Sequence, residues 1–299
     1  MGPAIARRAA RLVLFAACLG LAAAPVRAVT LTDDTGFELR VEHPVGRVVS
    51  LSPHLTELMF SIGAGARLVG TVRGSDFPPE AVAIARIGDA AGLDFERILA
   101  ARPQVVLAWG SGNRPVDIAR LRELGLPVLV LEARRLQDIA RHLQLLGTLT
   151  GAQVQARSVA REFDERIDAL RKRYAGRDPV RVLFEIWHRP LFTINGNHII
   201  SQVLGLCGGR NIFADLPDLA AEVSLEQALV ADPQAIVVGT EARDARVEDW
   251  QQFSYLAAVR NDSVFIVSAD LITRQTPRLA GAAQQLCVDL DKVRRAAQE

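Results

Sequence analysis

One stretch of the chain occurs twice, and this repeat limits the fold more than any other feature of the sequence. Residues 93–108 read LDFERILAARPQVVLA and residues 223–238 read VSLEQALVADPQAIVV, with five identities in sixteen aligned positions. Each copy has a helix N-cap residue, a short helix that stops at a proline, and an apolar strand. The repeat predicts two similar α/β lobes, although two unrelated helix–proline–strand units could reach the same likeness by chance.

Short apolar runs rich in β-branched residues alternate with helical segments along the rest of the chain. The predicted strands are 48–51, 68–72, 105–109, 128–131, 180–187, 235–238 and 264–267. Strands that are apolar on both faces are covered by helices on both sides, which is typical of parallel or mixed sheets. The predicted fold class is α/β, with two Rossmann-like lobes that each contain a mostly parallel sheet.

A long amphipathic helix separates the two predicted lobes. Apolar residues keep helical spacing from Val154 to Tyr174, and charged residues occupy the opposite face. A rigid helix between lobes, in place of flexible strands, permits little hinge motion, so the cleft between the lobes is expected to be largely preformed. We assign residues 29–149 to the N-terminal lobe, 150–176 to the interdomain helix and 177–299 to the C-terminal lobe.

The first 28 residues have the pattern of a secretory signal peptide. Three arginines precede the apolar stretch 12–24, and a small-residue processing site follows at 26–28. The apolar stretch is shorter than the about 20 residues that a membrane-spanning helix requires. The pattern predicts export to the periplasm and a mature chain that begins near Val29. The alternative is lipoprotein processing at Cys18.

The cysteine content and the net charge further restrict the compartment and the kinds of partner that the sequence predicts. Cleavage after residue 28 leaves Cys207 and Cys287 in an oxidising compartment, which predicts one disulfide; the alternative is two buried free thiols. The signal carries four of the 35 basic residues and no acid, so the mature chain has 31 basic and 34 acidic residues. A net charge of −3 does not favour a nucleic acid or a membrane surface as partner.

The sequence contains no recognisable catalytic motif. It has no phosphate-binding loop, Gly-x-Ser-x-Gly, His-Glu-x-x-His or Cys-x-x-Cys sequence. Ser50, Ser52 and His54 lie together at a strand end, but no acid is placed to orient the histidine. The five histidines show no metal-ligand spacing. We therefore predict a protein that is not an enzyme and that uses neither a cofactor nor a bound metal.

Several short motifs, taken in order, resemble the helical-backbone (class III) periplasmic substrate-binding proteins of ABC importers. The motifs are RVVSLSP at 47–53, TEL at 56–58, SDFPP at 75–79, LAW at 107–109, CGG at 207–209, NIF at 211–213 and PR at 277–278. The likeness runs from about residue 47 to residue 290, and it is strongest to the members that bind vitamin B12. The resemblance implies a monomer that captures a corrinoid between its lobes and delivers it to the transmembrane subunits of an importer.

The resemblance also implies a ligand site, which this sequence keeps only in part. The related receptors surround the corrinoid with aromatic residues, an acid and an arginine, and the matching positions here are Trp109, Phe192, Asp270 and Arg274. Three aromatic positions of the family align with Gly74, Ala90 and Ala220. Residues near the same strand ends could replace the lost aromatic contacts: Arg73, His54, Trp187 and His188.

The partial match leaves alternatives open. Trp187 and His188 close a predicted strand and are equally well explained as core residues. With three aromatic residues absent, a ferric siderophore or haem remains an alternative ligand, and an envelope enzyme or structural protein on the same scaffold is a third, weaker alternative.

Glu96 and Glu226 occupy equivalent positions in the two repeats, one in each predicted lobe. The resemblance implies that such paired glutamates contact arginines on the two transmembrane subunits, a contact for which a carboxylate is well suited. The alternative is that each is a first-turn acid favoured only by the helix dipole.

Overall fold

The computed structural model describes residues 27–89, 92–240 and 245–297. The predicted signal peptide lies outside these residues except for its last two positions, and Ala90 lies outside them as well. Within the described ranges, no helix is both long enough and apolar enough to cross a membrane.

The N-terminal lobe is built on a four-stranded parallel sheet. Its elements are β1 (Arg27–Thr32), β2 (Glu38–His43), β3 (Val48–Ser50), α1 (Pro53–Ser61), β4 (Leu68–Thr71), β5 (Gly88–Asp89), β6 (Gly92–Leu93), α2 (Phe95–Ala100), β7 (Val105–Trp109), α3 (Pro115–Glu123), β8 (Val128–Leu131) and α4 (Leu136–Thr150). The strand order is β4-β3-β7-β8, and the pairs β1–β2 and β5–β6 form separate hairpins. The central strands are buried along almost their whole length, which explains their continuous apolar character.

A long helix leads into a C-terminal lobe of the same design. The elements are α5 (Gln153–Tyr174), β9 (Val180–Glu185), β10 (Phe192–Ile194), α6 (Ile199–Leu206), β11 (Gly209–Asn211), β12 (Ala220–Glu222), α7 (Leu225–Ala231), β13 (Ala235–Gly239), α8 (Ala245–Gln251), α9 (Ala257–Arg260), β14 (Val264–Val267), α10 (Ala269–Ile272) and α11 (Leu279–Ala296). The parallel strand order is β11-β9-β13-β14, and β10 pairs with β12 outside this sheet.

The strand predicted over 180–187 is two residues shorter in the structure. It ends at Glu185 because the chain then reverses direction, and Trp187 forms an antiparallel bridge with Phe192. The apolar run that predicted one strand therefore contains a strand and one arm of a turn. Periodicity alone does not show where a chain leaves the sheet.

The repeated sequence folds as the same unit in both lobes, and the likeness extends beyond the aligned residues. The guanidinium of Arg47 donates to carbonyls just after α2, and that of Arg181 donates to carbonyls at the C-terminal end of α7. Gln104 accepts hydrogen bonds from the backbone N–H groups of Gly46 and Arg47, while Gln234 accepts one from that of Arg181. The two lobes therefore share a helix, a strand and the contacts that lock them together.

The turn between helix and strand is also the same in both repeats. Arg102 and Asp232 occupy equivalent positions before a proline and have positive φ angles of 44° and 39°. A residue in the left-handed region ends a helix by turning the chain away from the helix axis. The aligned sequences differ at this position, so the shared backbone conformation was visible only in the structure.

The helix between the lobes is packed along its length. At 22 residues α5 is about 33 Å long. Within the predicted segment 150–176 the helix itself begins at Gln153, because Gly151 has a φ of +77° and ends α4. Gly147 of α4 lets the two helices approach closely, since an added Cβ would lie 2.4 Å from the Cβ of Ala156.

One apolar core continues across both lobes. It includes Leu143 of α4, Phe163 of α5 and Leu286 of α11, all at most 2% exposed. The predicted disulfide joins Cys207, at the end of α6, to Cys287 of α11. These contacts confirm the predicted fold class, two α/β lobes with parallel sheets joined by one long helix.

A buried ion cluster joins the lobes a second time. Glu57 of α1 is 2% exposed and accepts two hydrogen bonds from the guanidinium of Arg278, at 2.7 and 2.6 Å, and one from the hydroxyl of Thr276. The hydrogen bond to Glu57 is the main reason that the pKa of Arg278 is raised. We call Glu57, Arg274, Thr276 and Arg278 the interlobe clasp, because the glutamate lies in one lobe and its partners in the other.

Loss of the clasp charge is expected to destabilise the protein. Glu57→Gln keeps the shape of the side chain but leaves Arg278 without its paired carboxylate, which is expected to lower the free energy of unfolding by about 3 kcal/mol. Urea unfolding followed by circular dichroism measures this change. The exposed Glu165→Gln is the matched control and should alter stability by less than about 0.5 kcal/mol. Equal stabilities of the two variants would show that the clasp contributes nothing.

Candidate functional site

A cavity of about 410 Å³ lies between the lobes, at the carboxyl ends of strands from both sheets. The N-terminal lobe contributes Trp109 at the end of β7, Ser111 in the following loop and residues 132–134 after β8, whereas the C-terminal lobe contributes Ile186 after β9. The remaining lining residues come from the C-terminal lobe and include Asn197, His198, Ile199, Ile200, Leu219, Ala220, Thr273 and Gln275. Parallel α/β sheets place ligands at this edge. We call this space the cleft cavity.

Trp109 is the aromatic wall of the cleft cavity, and its surroundings fix its orientation. Its ring covers Gly112 so closely that an added Cβ would lie 1.8 Å from a ring carbon. The ring of His54 meets it edge-on, with centroids 5.1 Å apart. The backbone N–H of Trp109 donates to the side chain of Asn113 at 2.7 Å. Position 112 therefore has to be a glycine, because the ring of Trp109 occupies the space that a side chain would need.

A second, more polar cavity of about 710 Å³ shares Ser111, Glu132, Arg134 and Asn197 with the cleft cavity. Its charged residues are largely bonded to one another. Asp34 accepts from Arg141 and His142, each at 2.6 Å. Burial alone would raise the pKa of Asp34, but the hydrogen bond from His142 and further contacts lower it. The guanidinium of Arg134 forms no ion pair within the described part of the chain.

Two predicted ligand residues near the C-terminal end of the chain, Asp270 and Arg274, lie at the interface between the lobes. Arg274 is 9% exposed and donates to Asp76 and pairs with Asp270, both at 2.8 Å, and it also reaches the carbonyl oxygen of Gly74 at 3.3 Å. Three predicted residues, Gly74, Asp270 and Arg274, are thus in one cluster beside the clasp. They do not line the cleft cavity, but Thr273 and Gln275 on either side of Arg274 do.

The other predicted residues are distributed more widely. Arg73 is exposed and pairs with Asp89 at 3.4 Å. Phe192 is half-buried on β10. Trp187 is 55% exposed, and its ring N–H donates to the carbonyl of Arg189 at 3.0 Å. None of these three side chains lines the cleft cavity.

His188 belongs to a different feature of the C-terminal lobe. Its two ring nitrogens contact Glu185 at 3.1 Å and Asp249 at 2.6 Å. Glu185 also accepts a hydrogen bond from the indole of Trp250 at 2.6 Å. His188 lines a separate pocket of about 290 Å³ with Trp250, so it does not face the cleft cavity.

Several lining residues were not found from the sequence. Glu132 and Arg134 follow β8, and Ile186 follows β9, so the strand ends were the available signal. Asn197 and Gln275 carry no such signal, because they come from loops whose course depends on packing between the lobes. Their amide side chains add hydrogen-bonding groups to a cavity lined by both apolar and polar residues.

Two histidines near the cleft, the buried His54 and the half-buried His198, are expected to make stability depend on pH. Burial lowers the pKa of His54 to about 3 and that of His198 to about 4, below the usual 6.5. As the pH falls, each histidine therefore takes up a proton in the unfolded chain before it does so in the folded protein. The stability that is present above pH 6.5 is lost as the pH falls towards 4. The loss per histidine approaches about 1.4 kcal/mol per pH unit.

The conservative variant His198→Asn separates the contribution of His198 to the pH dependence of stability from that of His54. The Nδ1 of His198 accepts the N-cap hydrogen bond of α6 from Ile200, and asparagine keeps a capping oxygen while removing the titration. Chemical unfolding of His198→Asn between pH 6 and pH 4.5 should show a pH slope lower than that of the original protein by up to about 1.4 kcal/mol per pH unit. An unchanged slope would mean that His198 is not neutral in the folded state.

Comparisons with known proteins agree with this architecture. The model of the periplasmic binding protein family matches residues 48–271. A vitamin B12-binding protein of Vibrio cholerae serotype O1 is 35% identical over 248 residues, which cover 83% of this chain and 90% of that protein. One from Pectobacterium carotovorum is 37% identical over 247 residues, covering 82% and 88%.

Solved structures show the same relation. The periplasmic vitamin B12-binding protein of Vibrio cholerae superposes with a TM-score of 0.79 at 34% identity, covering 86% of this chain and 99% of that one. A periplasmic haem-binding protein from Roseiflexus superposes with a TM-score of 0.73, covering 83% and 99%, but at 21% identity it shares the fold alone. The chain belongs to the periplasmic binding protein family, in the class whose two lobes are joined by a long helix.

Proposed function

We propose that this protein captures a corrinoid, vitamin B12 or a close relative, in its interlobe cleft and delivers it to the transmembrane subunits of an ABC importer. The observation that carries the proposal is the cleft cavity, in which a fixed tryptophan of one lobe faces the apolar residues of the other. The likeness of nearly the whole chain to vitamin B12-binding proteins supports the choice of ligand.

The chemistry of the cavity suits a large, flat and partly apolar ring. Trp109 offers an aromatic face, and aromatic contacts add about 0.5–1.5 kcal/mol beyond the area they bury. Ile186 and Leu219 provide apolar contacts from the second lobe. The adjoining polar cavity gives space for the bulky substituents of a corrinoid, which one drug-sized pocket would not hold.

The proposal also covers the compartment in which the protein acts and the division of its chain into domains. The chain is exported by a signal peptide that is removed near Val29. Residues 29–149 and 177–299 are the two lobes, and 150–176 form the helix between them. The receptor acts as a monomer, since each chain supplies both walls of its own cleft.

Catalysis has no place in the proposal. Ser52 and His54 form the one serine–histidine contact near the cleft that the described residues show, at 2.7 Å, and both are at most 4% exposed. Within the described residues no carboxylate bonds to the ring of His54, and burial keeps that ring neutral. The pair is better explained as a hydrogen bond that supports Trp109.

Haem is the second candidate ligand, because a neutral imidazole lines the cleft cavity. His198 has its pKa lowered by burial, and its Nδ1 is engaged as the helix N-cap. Because Nδ1 accepts, the proton of the neutral ring lies on Nε2, so iron coordination would require the other tautomer and the loss of this N-cap hydrogen bond. Ligand binding experiments therefore need to include haem.

The transporter contact is proposed for the two repeated helices. Glu96 on α2 and Glu226 on α7 are exposed, and each occupies the first turn of its helix. Hydrogen bonds from its own backbone N–H and from Ser224 lower the pKa of Glu226, so this carboxylate is charged. Exposed apolar side chains on the same helices, Leu99 and Val230, add contact area beside each glutamate.

A ligand panel tests the proposed function. Cyanocobalamin and cobinamide are expected to raise the melting temperature, because a ligand at 100 times its Kd adds about 2.7 kcal/mol of stability. For a chain of this size the shift should be roughly 5 °C or more. Haem and a ferric siderophore should produce no shift. A clear shift with haem and none with either corrinoid would refute the corrinoid assignment.

The docking surface has its own test. Glu96→Ala combined with Glu226→Ala should leave the Kd for cyanocobalamin unchanged, because neither residue lines the cleft cavity. Uptake of cyanocobalamin by cells or by transporter-containing vesicles should fall about tenfold or more, as expected when charge-paired contacts at an interface are lost. The exposed pair Glu38→Ala and Glu162→Ala is the matched control. Normal uptake by the first double variant would exclude the docking role.

A further inference from the structure

We propose that the C-terminal lobe carries a second binding surface, which holds the protein on an anionic membrane through the phosphate groups of the lipids. This surface consists of a groove between α5 and α11 and of the basic end of the lobe that adjoins the groove. None of its residues lines the cleft cavity or belongs to the proposed transporter contact.

The groove between α5 and α11 has a volume of about 240 Å³ and combines an apolar floor with two arginines. Tyr174 and Ala280 are at most 3% exposed and form the floor, whereas Val288 is 38% exposed at the edge. Arg166 and Arg173 are seven residues apart, so they lie on the same face of α5, about 10 Å apart along its axis. The other described lining residues are Ala169, Leu170 and Gln284, so no carboxylate is among them.

The two arginines of the groove are not neutralised by acids. Within the described residues neither Arg166 nor Arg173 forms an ion pair. The guanidinium of Arg166 extends towards α11, where an added Cβ at Gly281 would lie 3.9 Å from one of its nitrogens. Guanidinium groups form bidentate hydrogen bonds with phosphate. A phosphate at the groove would therefore find two unpaired cations beside an apolar floor.

The last turns of α5 and α11 lie together at the end of the lobe that is opposite to the cleft. Helix α5 ends at Tyr174, shortly before β9 begins at Val180. Arg294, in the last turn of α11, donates to the carbonyl oxygens of Asp178, at 2.7 Å, and of Cys207, which precede β9 and β11. Both helices therefore end at the amino ends of these parallel strands, whereas the cleft cavity lies at the carboxyl ends.

This end of the lobe is basic, although the mature chain is expected to have a net charge of −3. Exposed basic residues there that form no ion pair within the described residues are Lys172, Arg173, Arg177, Arg210 and Arg295. With Arg181, Arg260 and Arg294 the same end has eight basic residues, against the four acids Asp178, Asp232, Asp262 and Asp291. The overall charge therefore does not exclude an anionic partner at this end.

An anionic lipid surface fits both parts of the proposed site. Its phosphates pair with the arginines, and each basic residue near such a surface strengthens binding about fivefold. The apolar floor of the groove accepts the hydrocarbon that adjoins the phosphate, which neither a free phosphate nor an acidic peptide provides. A protein held in this way keeps its cleft directed away from the lipid, so that a ligand can still enter.

Co-sedimentation of the purified protein with lipid vesicles tests the inference. The protein should bind vesicles of phosphatidylglycerol and phosphatidylcholine in equal parts but not vesicles of phosphatidylcholine alone. Raising the salt concentration from about 0.05 to about 0.5 M should release most of it, because salt screens exposed charges. Arg166→Gln combined with Arg173→Gln should weaken binding about 25-fold, which is about fivefold for each arginine.

The matched control is Arg40→Gln combined with Arg157→Gln. Both arginines are exposed, form no ion pair within the described residues and lie outside the groove, so this variant should change vesicle binding by less than about twofold. All four substitutions replace exposed side chains, and circular dichroism checks that each variant is folded. Both double variants should bind cyanocobalamin with the Kd of the original protein.

Competitors identify the occupant of the groove. Inorganic phosphate and poly-L-glutamate, each at matched ionic strength, should not displace the protein from the vesicles. Displacement by either would indicate a free anion or an acidic peptide and would overturn the lipid assignment. No binding to the anionic vesicles, or an equal loss of binding in the groove variant and the control, would also overturn it, while the proposed ligand and transporter functions stand.

Discussion

The arrangement of the lobes depends on one buried carboxylate. Glu57 lies on the first helix of the N-terminal lobe, and its hydrogen bonds come from Thr276 and Arg278 of the C-terminal lobe. A buried charge is tolerated only when it is paired and hydrogen-bonded, so the two lobes must meet in the geometry that satisfies it. The position of the 273–278 segment, and with it one wall of the cleft, follows from this requirement.

The clasp and the α5 helix restrict the cleft from two directions. The helix continues the apolar core from one lobe into the other, and the clasp closes the interface through charged groups. A receptor built in this way recognises its ligand with a preformed surface and little domain closure. The placement of Trp109 is consistent with such a surface, because its ring fills the space beside Gly112 and meets the ring of His54.

The duplicated unit connects the fold to the proposed delivery step. Arg47 and Arg181 lock equivalent helices against equivalent strands, so Glu96 and Glu226 are presented on similar local frames in both lobes. Two such frames joined by a stiff helix would meet two transmembrane subunits at a constant spacing. In this proposal the helix of each repeated unit contacts the transporter, and in the N-terminal lobe the end of its strand, at Trp109, faces the cleft cavity.

The sequence by itself determined the local architecture, because helix caps, prolines and apolar periodicity act over a few residues. It also determined the long helix, the cysteine pair and the importance of the strand end at Trp109. Only the tertiary structure decided which side chains share a cavity. Asp270 and Arg274 are close in sequence and were expected to bind the ligand. Arg274 is instead held by Asp76 and by Glu57 of the clasp, while its neighbour Gln275 lines the cleft cavity. That outcome depends on contacts between residues some 200 positions apart, and no local pattern encodes them.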